Sequence, residues 1–161
     1  MNDQAIGIFD SGIGGLTCVK EMNRLLPHEN IVYFGDTARI PYGTKSRETV
    51  MQYAKQDIDF IRRHNVKMII AACGTVSSVM GAVKDIDGIP FTGVVTPAAQ
   101  AACAATRNGR IGVIGTPATI RSGSYGRAIR TIRSDAAVIG NACPLFVTMA
   151  ENGVTSKDDI V

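Results

Sequence analysis

The chain lacks several features by which proteins bind nucleic acid or cross membranes. It contains no Trp, and aromatic residues make up 6% of its 161 residues, so stacking platforms for single-stranded nucleic acid are not expected. Its formal charge is only +3, and no basic block concentrates that charge in one segment. Its longest apolar runs fall far short of the roughly 20 residues that span a bilayer. These absences predict a protein with neither a nucleic-acid partner nor a membrane partner.

The cysteines follow neither a metal-binding nor a disulfide pattern. The four residues are Cys18, Cys73, Cys103 and Cys143, with no Cys-x-x-Cys pair and no histidine at metal-ligand spacing. The N-terminus has neither the positive segment nor the long apolar segment of a secretion signal. We therefore expect a cytoplasmic protein with free thiols and no metal.

The chain does contain a regular alternation of strand and helix patterns. Residues 66–72 are apolar at nearly every position, which is typical of a parallel strand buried on both faces. The alternation predicts an α/β fold of parallel, doubly wound sheets. Strands are expected at 5–9, 31–34, 66–72, 89–94, 110–114 and 136–139, and helices at 16–26, 46–64, 75–83, 97–105, 119–132 and 146–151.

Small, polar and reactive residues follow several of the predicted strands. Ligands of open α/β sheets bind beyond the carboxyl ends of the strands. The segments at these ends are Asp10 to Gly15, residues 35–43, Cys73 to Thr75, and residues 115–119. Their convergence predicts a ligand site at one edge of the sheet.

Several other candidate features of the sequence are interpreted as structural. The first loop has neither Gly-x-Gly-x-x-Gly nor a Walker ending, and Asp10 would repel phosphate, so it is interpreted as a tight glycine turn. No Gly-x-Ser-x-Gly hydrolase elbow follows a strand. His28 and His64 close helices and are interpreted as surface residues. The four arginines between residues 121 and 133 are interpreted as a solvated helix face.

Cys73 is the main candidate for chemistry. A cysteine that leads from a strand into a helix lies near the positive helix end, which predicts a lowered thiol pKa and a thiolate able to act as nucleophile or base. The alternative is a small buried apolar residue, and spacing alone does not separate the two. Cys18 and Cys103 fall on apolar helical stripes and are expected in the core, whereas Cys143 has no evident base near it.

Five collinear segments resemble those of bacterial glutamate racemases, in the aspartate/glutamate racemase superfamily. They are IFDSGIGGL at 8–16, YFGDTARIPYG at 33–43, ACGT at 72–75, GVIGT at 112–116 and ACPLFV at 142–147. The resemblance implies an isomerase that interconverts L- and D-glutamate without a cofactor. It also implies a cytoplasmic homodimer. The D-glutamate would supply peptidoglycan synthesis, and so cell wall biogenesis and cell shape. In this family two cysteines act from opposite faces of the substrate α-carbon.

The resemblance also implies roles for particular residues. Cys73 matches the first catalytic cysteine, Asp10 is implied to assist its proton transfer, and Glu151 matches an acidic residue that supports a histidine late in the family chain. No metal is implied. The implied substrate contacts are Asp10, Ser11, Pro41, Tyr42, Gly43, Gly74, Thr75, Thr116 and Thr119.

Two departures from the family pattern bear on activity. Gly74 stands where family members usually have Asn, which predicts looser substrate binding. The second catalytic cysteine, in a Gly-Cys-Thr-His segment, does not occur, and Cys143 belongs to a different motif.

We therefore expect residues 1–96 to form a first α/β lobe carrying Cys73, and residues 97–161 an incomplete second lobe that lacks the family's C-terminal portion. Exposed strand edges, with self-association, would follow. An inactive remnant that only binds a ligand or partner, and an aspartate racemase relative, are the alternatives.

Overall fold

The computed structural model describes residues 3–81 and 83–154 and arranges them as two β-sheets with helices packed against them. The strands are β1 Ala5–Asp10, β2 Ile31–Gly35, β3 Val66–Ala71, β4 Asp85–Ile86, β5 Ile89–Gly93, β6 Arg110–Gly115 and β7 Ala137–Ala142. The helices are α1 Leu16–Leu25, α2 Arg47–Ile61, α3 Gly74–Met80, α4 Val95–Ala105, α5 Pro117–Ser122, α6 Ser124–Ile132 and α7 Pro144–Glu151, with 3-10 turns at Tyr42–Thr44 and Arg62–His64. The predicted α/β class is confirmed.

The first sheet has the strand order β2-β1-β3-β5-β4. Strand β1 pairs in parallel with β2 and β3, and β3 pairs in parallel with β5. The short β4, which the sequence patterns did not predict, turns back antiparallel to β5. Since every residue of β1 is buried, the sheet is built around this strand, and its carboxyl end, at Asp10, lies in the middle of the fold.

Helices cover both faces of the first sheet because alternate residues of its strands point to opposite sides. On one face, Phe9 and Ile69 pack with Val50, Ala54 and other residues of α2. On the other face, Ile6, Ile8 and Ile70 pack with Cys18, Val19 and Met22 of α1. The apolar faces that the sequence predicts for α1 and α2 therefore pack on opposite faces of the first sheet, as a doubly wound fold requires.

The second sheet consists of the parallel pair β6–β7. One of its faces packs on α4 and α6, through a cluster built on Ala99, Ile129 and Ala136. Ile111, Val113 and Val138 of the two strands and Cys103 of α4 pack against that cluster. The chain therefore leaves the first sheet after β5 and begins another one.

The prediction of one continuous helix at 119–132 is wrong, because the structure has two helices there. Helix α5 ends and α6 begins at Gly123, whose φ of 65° lies in the left-handed region. Glycine adopts that region without the clash that a Cβ atom would bring. Both helices contact the second sheet, α5 at β6 and β7 and α6 at β7. Within the described ranges, no helix is both long and apolar enough to cross a membrane.

Candidate active site

The carboxyl ends of β1, β3, β6 and β7 surround a cavity of about 310 Å³. The cavity is lined by residues of the loops and helices that follow these strands, as the position of ligand sites in α/β folds predicts. Of the sequence-predicted site residues, it brings together Asp10, Ser11, Cys73, Gly74, Thr75, Thr116, Thr119 and Glu151.

Cys73 lies at the point where β3 passes into α3, and its side chain is only 4% exposed. The residue is the N-cap of α3, and its Sγ accepts a hydrogen bond from the Val76 backbone N–H at 3.5 Å. The Ser11 Oγ lies 3.4 Å from the same sulfur. The thiol is therefore fixed in direction, with one backbone donor and one hydroxyl beside it.

The predicted lowering of the Cys73 pKa is wrong. Burial raises the pKa of the thiol above its ordinary value, and the negative charge of Asp10 raises it further. Hydrogen bonds from Ser11 and Val76 act in the opposite direction but do not offset the loss of water. Cys73 does precede a helix, as predicted. Burial nevertheless outweighs the effect of the helix end and decides the protonation state of the thiol. In the unliganded protein the sulfur is a thiol at neutral pH.

Asp10 organises the loop between β1 and α1. Its side chain is 7% exposed, and its Oδ2 accepts hydrogen bonds from the backbone N–H groups of Gly12 at 3.2 Å and Gly15 at 3.1 Å. The Tyr33 hydroxyl donates to the Gly12 carbonyl at 2.8 Å from the neighbouring strand. The loop is thus tied down from inside by a carboxylate that also lines the cavity.

Glu151 ties the last described helix to the same loop. A carboxylate oxygen of Glu151 accepts a hydrogen bond from the backbone N–H of Ile13 at 3.1 Å. The contact joins residues 138 positions apart in the chain. Helix α7 therefore closes one side of the cavity and places a second carboxylate in its wall.

Three threonine hydroxyls form a connected chain along the opposite wall. The Oγ1 atoms of Thr75 and Thr116 are 3.0 Å apart, and those of Thr116 and Thr119 are also 3.0 Å apart. The Thr116 Oγ1 accepts the backbone N–H of Thr119 at 3.2 Å, which caps the start of α5. Because Thr75 and Thr119 are buried, the hydroxyl oxygens are held in place, and an O–H group of this chain can donate a hydrogen bond to a bound carboxylate.

The loop at Pro41, Tyr42 and Gly43 lies behind this wall, and none of its three residues lines the cavity. A Cβ atom added to Gly43 would lie 2.3 Å from the Thr116 Cβ, so the loop backbone packs directly on the threonine chain. The Tyr42 side chain points into the protein interior, where its hydroxyl donates to Asp36. The structure thus separates these three predicted substrate contacts from the others.

A buried carboxylate pair holds this loop in place. Asp57 is fully buried, and its Oδ2 lies 2.9 Å from the Tyr42 hydroxyl while its Oδ1 pairs with the Arg39 guanidinium at 2.8 Å. Arg39 also pairs with Asp36. Burial, with repulsion from Asp36, raises the pKa of Asp57 to about 6. Sequence reasoning did not identify this network.

The cavity also contains residues that sequence reasoning missed as site residues. Cys143, Tyr125 and Phe146 line it together with Cys73. Burial raises the pKa of the Tyr125 hydroxyl, and Cys73 contributes to that rise. Cys143 follows the carboxyl end of β7, so the same rule that singled out the ends of the earlier strands would have found it. Tyr125 had no such signal, because the break at Gly123 that orients it was not predicted.

The arrangement suits proton transfer to and from a small polar ligand. It combines a buried thiol, two carboxylates and a row of hydroxyls in a cavity of a size that encloses small molecules. Among the described residues, no group of three or more His, Cys, Asp or Glu side chains is arranged to hold a metal ion.

The chain is similar to characterised proteins along most of its length. The family described as Asp/Glu/Hydantoin racemase matches residues 6–157. A glutamate racemase of Geobacter metallireducens is 49% identical over 156 residues, which cover 96% of this chain and 58% of that protein.

Solved structures show the same relation. The glutamate racemase RacE1 of Bacillus anthracis superposes with a TM-score of 0.91 at 38% identity, over 96% of this chain and 58% of that one. The glutamate racemase of Francisella tularensis, solved with D-glutamate, superposes with a TM-score of 0.87 at 44% identity, over 97% and 59%. This chain thus spans a little over half the length of the relatives that it matches. Because the family's sequence pattern matches residues 6–157, the chain belongs to the Asp/Glu/Hydantoin racemase family.

Proposed function

We propose that this cavity performs the Cys73 side of glutamate racemisation: the Cys73 thiolate removes the α-proton from one face of the substrate and can return a proton to that face. Inversion requires a second acid on the opposite face of the α-carbon, the role that the family resemblance gives to the second cysteine. The observation that carries the proposal is the buried Cys73 thiol beside Asp10 and Ser11 in a cavity at the carboxyl edge of the sheet. The chain's family and the names of its relatives supply the substrate class. No cofactor is required, since the thiol itself carries the proton.

The thiol must lose its proton before it can act as the base. In the empty cavity the neighbouring Asp10 carboxylate opposes that loss. A bound amino acid brings an α-ammonium group, whose positive charge offsets the carboxylate and favours the thiolate. Substrate binding and activation of Cys73 are therefore coupled, and the Ser11 hydroxyl and the Val76 N–H remain as donors to the thiolate.

The polar walls of the cavity supply the substrate contacts. We assign the carboxylate groups of the substrate to the hydroxyls of Ser11, Thr75, Thr116 and Thr119, which can donate without carrying charge. The backbone at Pro41 to Gly43 supports Thr116 from behind. We propose that this loop acts on the side-chain carboxylate through Thr116, which lies between the loop and the cavity.

The same proposal extends to the setting of the reaction. D-glutamate made here would supply peptidoglycan precursors in the cytoplasm, and the protein would act as a homodimer. Glutamate is favoured over aspartate because the relatives are named glutamate racemases and one of them was solved with D-glutamate.

The test is the exchange of the α-proton of D-glutamate in D₂O, followed by proton NMR on the chain as it exists. We expect the α-proton signal to disappear in the presence of the chain and to persist with Cys73→Ala. Circular dichroism and chiral analysis of the same samples show whether each variant is folded and whether L-glutamate forms.

Two further thiol variants sharpen this test. Cys103→Ala removes a thiol that packs on α6, away from the cavity, and is expected to leave exchange unchanged. Cys143→Ala removes the other thiol of the cavity and is expected to retain exchange. A folded chain that exchanges no α-proton, or a Cys73→Ala variant that exchanges it at the original rate, would overturn the proposal.

A further inference from the structure

A second cavity, of about 240 Å³, shares two of its lining residues with the cavity that contains Cys73. The shared residues are Thr119 of α5 and Tyr125 of α6. The rest of its lining comes from these two helices, from the turn between them, and from the strands β6 and β7 against which the helices pack. The side chains of Thr119 and Tyr125 therefore form a partition between the two cavities.

Local hydrogen bonds fix both sides of this partition. Thr119 is 6% exposed, and its Oγ1 lies 3.0 Å from the Thr116 Oγ1. The turn that leads into α6 is held by Ser122, whose Oγ donates to the Thr119 carbonyl at 2.6 Å and accepts from the Ser124 backbone N–H at 3.2 Å. Tyr125 follows Ser124 directly. The backbone that carries its ring is therefore held in a fixed place beside Thr119.

Tyr125 lies close to Cys73. The tyrosine is half-buried and lines the same cavity as the thiol. Burial raises the pKa of its hydroxyl, and the charge of Cys73 raises it further. Such an effect falls off with distance, so it places the two groups near each other. The Tyr125 ring is therefore a wall of the space in which a substrate of Cys73 must fit.

The space behind the partition has walls of a different chemistry. Val113, Ile120 and Val138 give it apolar surface. Among the described residues that line it, Arg130 alone is charged, and its guanidinium lies over Gly126, where an added Cβ atom would be 3.2 Å from Nη1. This space suits additional methylene groups that end in a carboxylate.

We propose that Tyr125 determines how long an acidic amino acid the Cys73 cavity accepts. The inference rests on the proposed function, in which this cavity binds glutamate. With the ring in place the cavity ends at the partition, and α-aminoadipate, which is one methylene longer than glutamate, does not fit. Tyr125 is then a specificity-determining residue that takes no part in the proton transfer.

Calorimetric titration with D-glutamate and with D-α-aminoadipate tests the specificity. The original chain is expected to prefer D-glutamate by about tenfold or more, the usual scale for one methylene in a closed pocket. Tyr125→Ala joins the two cavities and is expected to remove most of this preference. Tyr125→Phe is the matched control, because it keeps the ring, and is expected to retain the preference.

Alkylation by iodoacetamide tests the partition without a bound amino acid. Cys73 is 4% exposed, so opening a second route to its sulfur is expected to raise its alkylation rate several-fold in Tyr125→Ala and to leave it unchanged in Tyr125→Phe. Peptide mass spectrometry reads Cys103 in the same samples. The Cys103 Sγ lies 3.8 Å from the Ile129 carbonyl of α6, so its rate shows whether α6 stays packed, and it is expected to remain constant.

Three outcomes would overturn the proposal. They are an unchanged alkylation rate of Cys73 in Tyr125→Ala, an equal rise at Cys103, which would show that α6 has loosened, and a preference for D-glutamate that survives in Tyr125→Ala. A folded original chain that binds neither amino acid would instead contradict the proposed function, and the alkylation rates would still decide whether Tyr125 closes the cavity.

Discussion

Gly74 begins α3 beside Cys73 and lines the cavity without a side chain. A Cβ atom placed there meets nothing within 4 Å, so the protein has room for the Asn that the family resemblance implies. Gly74→Asn is expected to tighten D-glutamate binding by about tenfold to a hundredfold, through one hydrogen bond to a charged group. Calorimetric titration with D-glutamate measures the change.

Gly74→Ala is the matched control, because it adds the Cβ atom without a polar group. It is expected to leave the dissociation constant of D-glutamate nearly unchanged. Equal affinities for the Asn and Ala variants would contradict the assignment of this position to substrate binding.

Asp57 gives the stability of the protein a specific pH dependence. Its folded pKa is about 6, whereas the ordinary value is 3.8, so between these values the folded protein binds more protons than the unfolded chain. The free energy of unfolding contributed by Asp57 therefore falls as the pH rises from about 4 to about 6, and is level above that. Urea denaturation across this range measures it.

Asp57→Asn removes the titrating group and keeps the shape of the side chain. The unfolding free energy of the original chain minus that of Asp57→Asn is therefore expected to fall as the pH rises through this window. Asp59→Asn, at a half-exposed position on the same helix, serves as the control and should retain the decline. A difference that grows with pH would show that Asp57 is stabilised in its charged form.

At the scale of elements, the turn at Gly123 separates α5 from α6 and sets where Tyr125 and Arg127 lie. With φ at 65°, Gly123→Ala is expected to cost about 1 kcal/mol of stability, since a Cβ atom is disfavoured in the left-handed region. Gly112→Ala is the control, because its added Cβ meets nothing within 4 Å and its φ is not positive. Urea denaturation should show the first variant destabilised and the second within about 0.5 kcal/mol of the original chain.

The same elements show what the sequence could predict. The strands and most helices follow from local apolar periodicity, which is written in adjacent residues. Periodicity continues across Gly123, so it could not show that the helix breaks there. The short β4 has only two residues, too few for a pattern to develop.

The sequence predicts the residues of the candidate site that lie next to a strand in the chain, but not those that distant segments bring together. The rule that ligands bind at strand ends identified Asp10, Cys73 and Thr116, because each lies at or within two residues of the end of its strand. The contact of Glu151 with Ile13 depends on how α7 packs across 138 positions of sequence, and only the family resemblance pointed to Glu151. The raised pKa of Cys73 was missed because burial is produced by the whole fold and not by the residues beside the cysteine.

At the scale of the whole molecule, the second sheet has one covered face and one open face in the described structure. Ile139 is 72% exposed on the face opposite the α4–α6 cluster, and Ile114 is 66% exposed on the same face. Parallel sheets usually have both faces covered. The chain is therefore expected to self-associate through this face.

Sedimentation velocity over a range of concentrations measures this association. Ile139→Ser is expected to shift the equilibrium toward monomer, whereas Leu25→Ser, an equally simple change at an exposed residue of α1, is expected to leave it unchanged. A monomer at every concentration, or equal effects of the two variants, would contradict the assignment of this face and the proposed dimer.

The most direct test of the central claim is the pH dependence of α-proton exchange from D-glutamate in D₂O. Because burial and Asp10 raise the pKa of Cys73, the thiolate fraction increases about tenfold for each pH unit below that pKa. At D-glutamate concentrations far below saturation, where the rate reports the groups of the free protein, the exchange rate is expected to rise with this slope from about pH 7 to about pH 8.5 and to be absent in Cys73→Ala. A rate that is independent of pH in this range, or that survives in Cys73→Ala, would contradict the role of the Cys73 thiol.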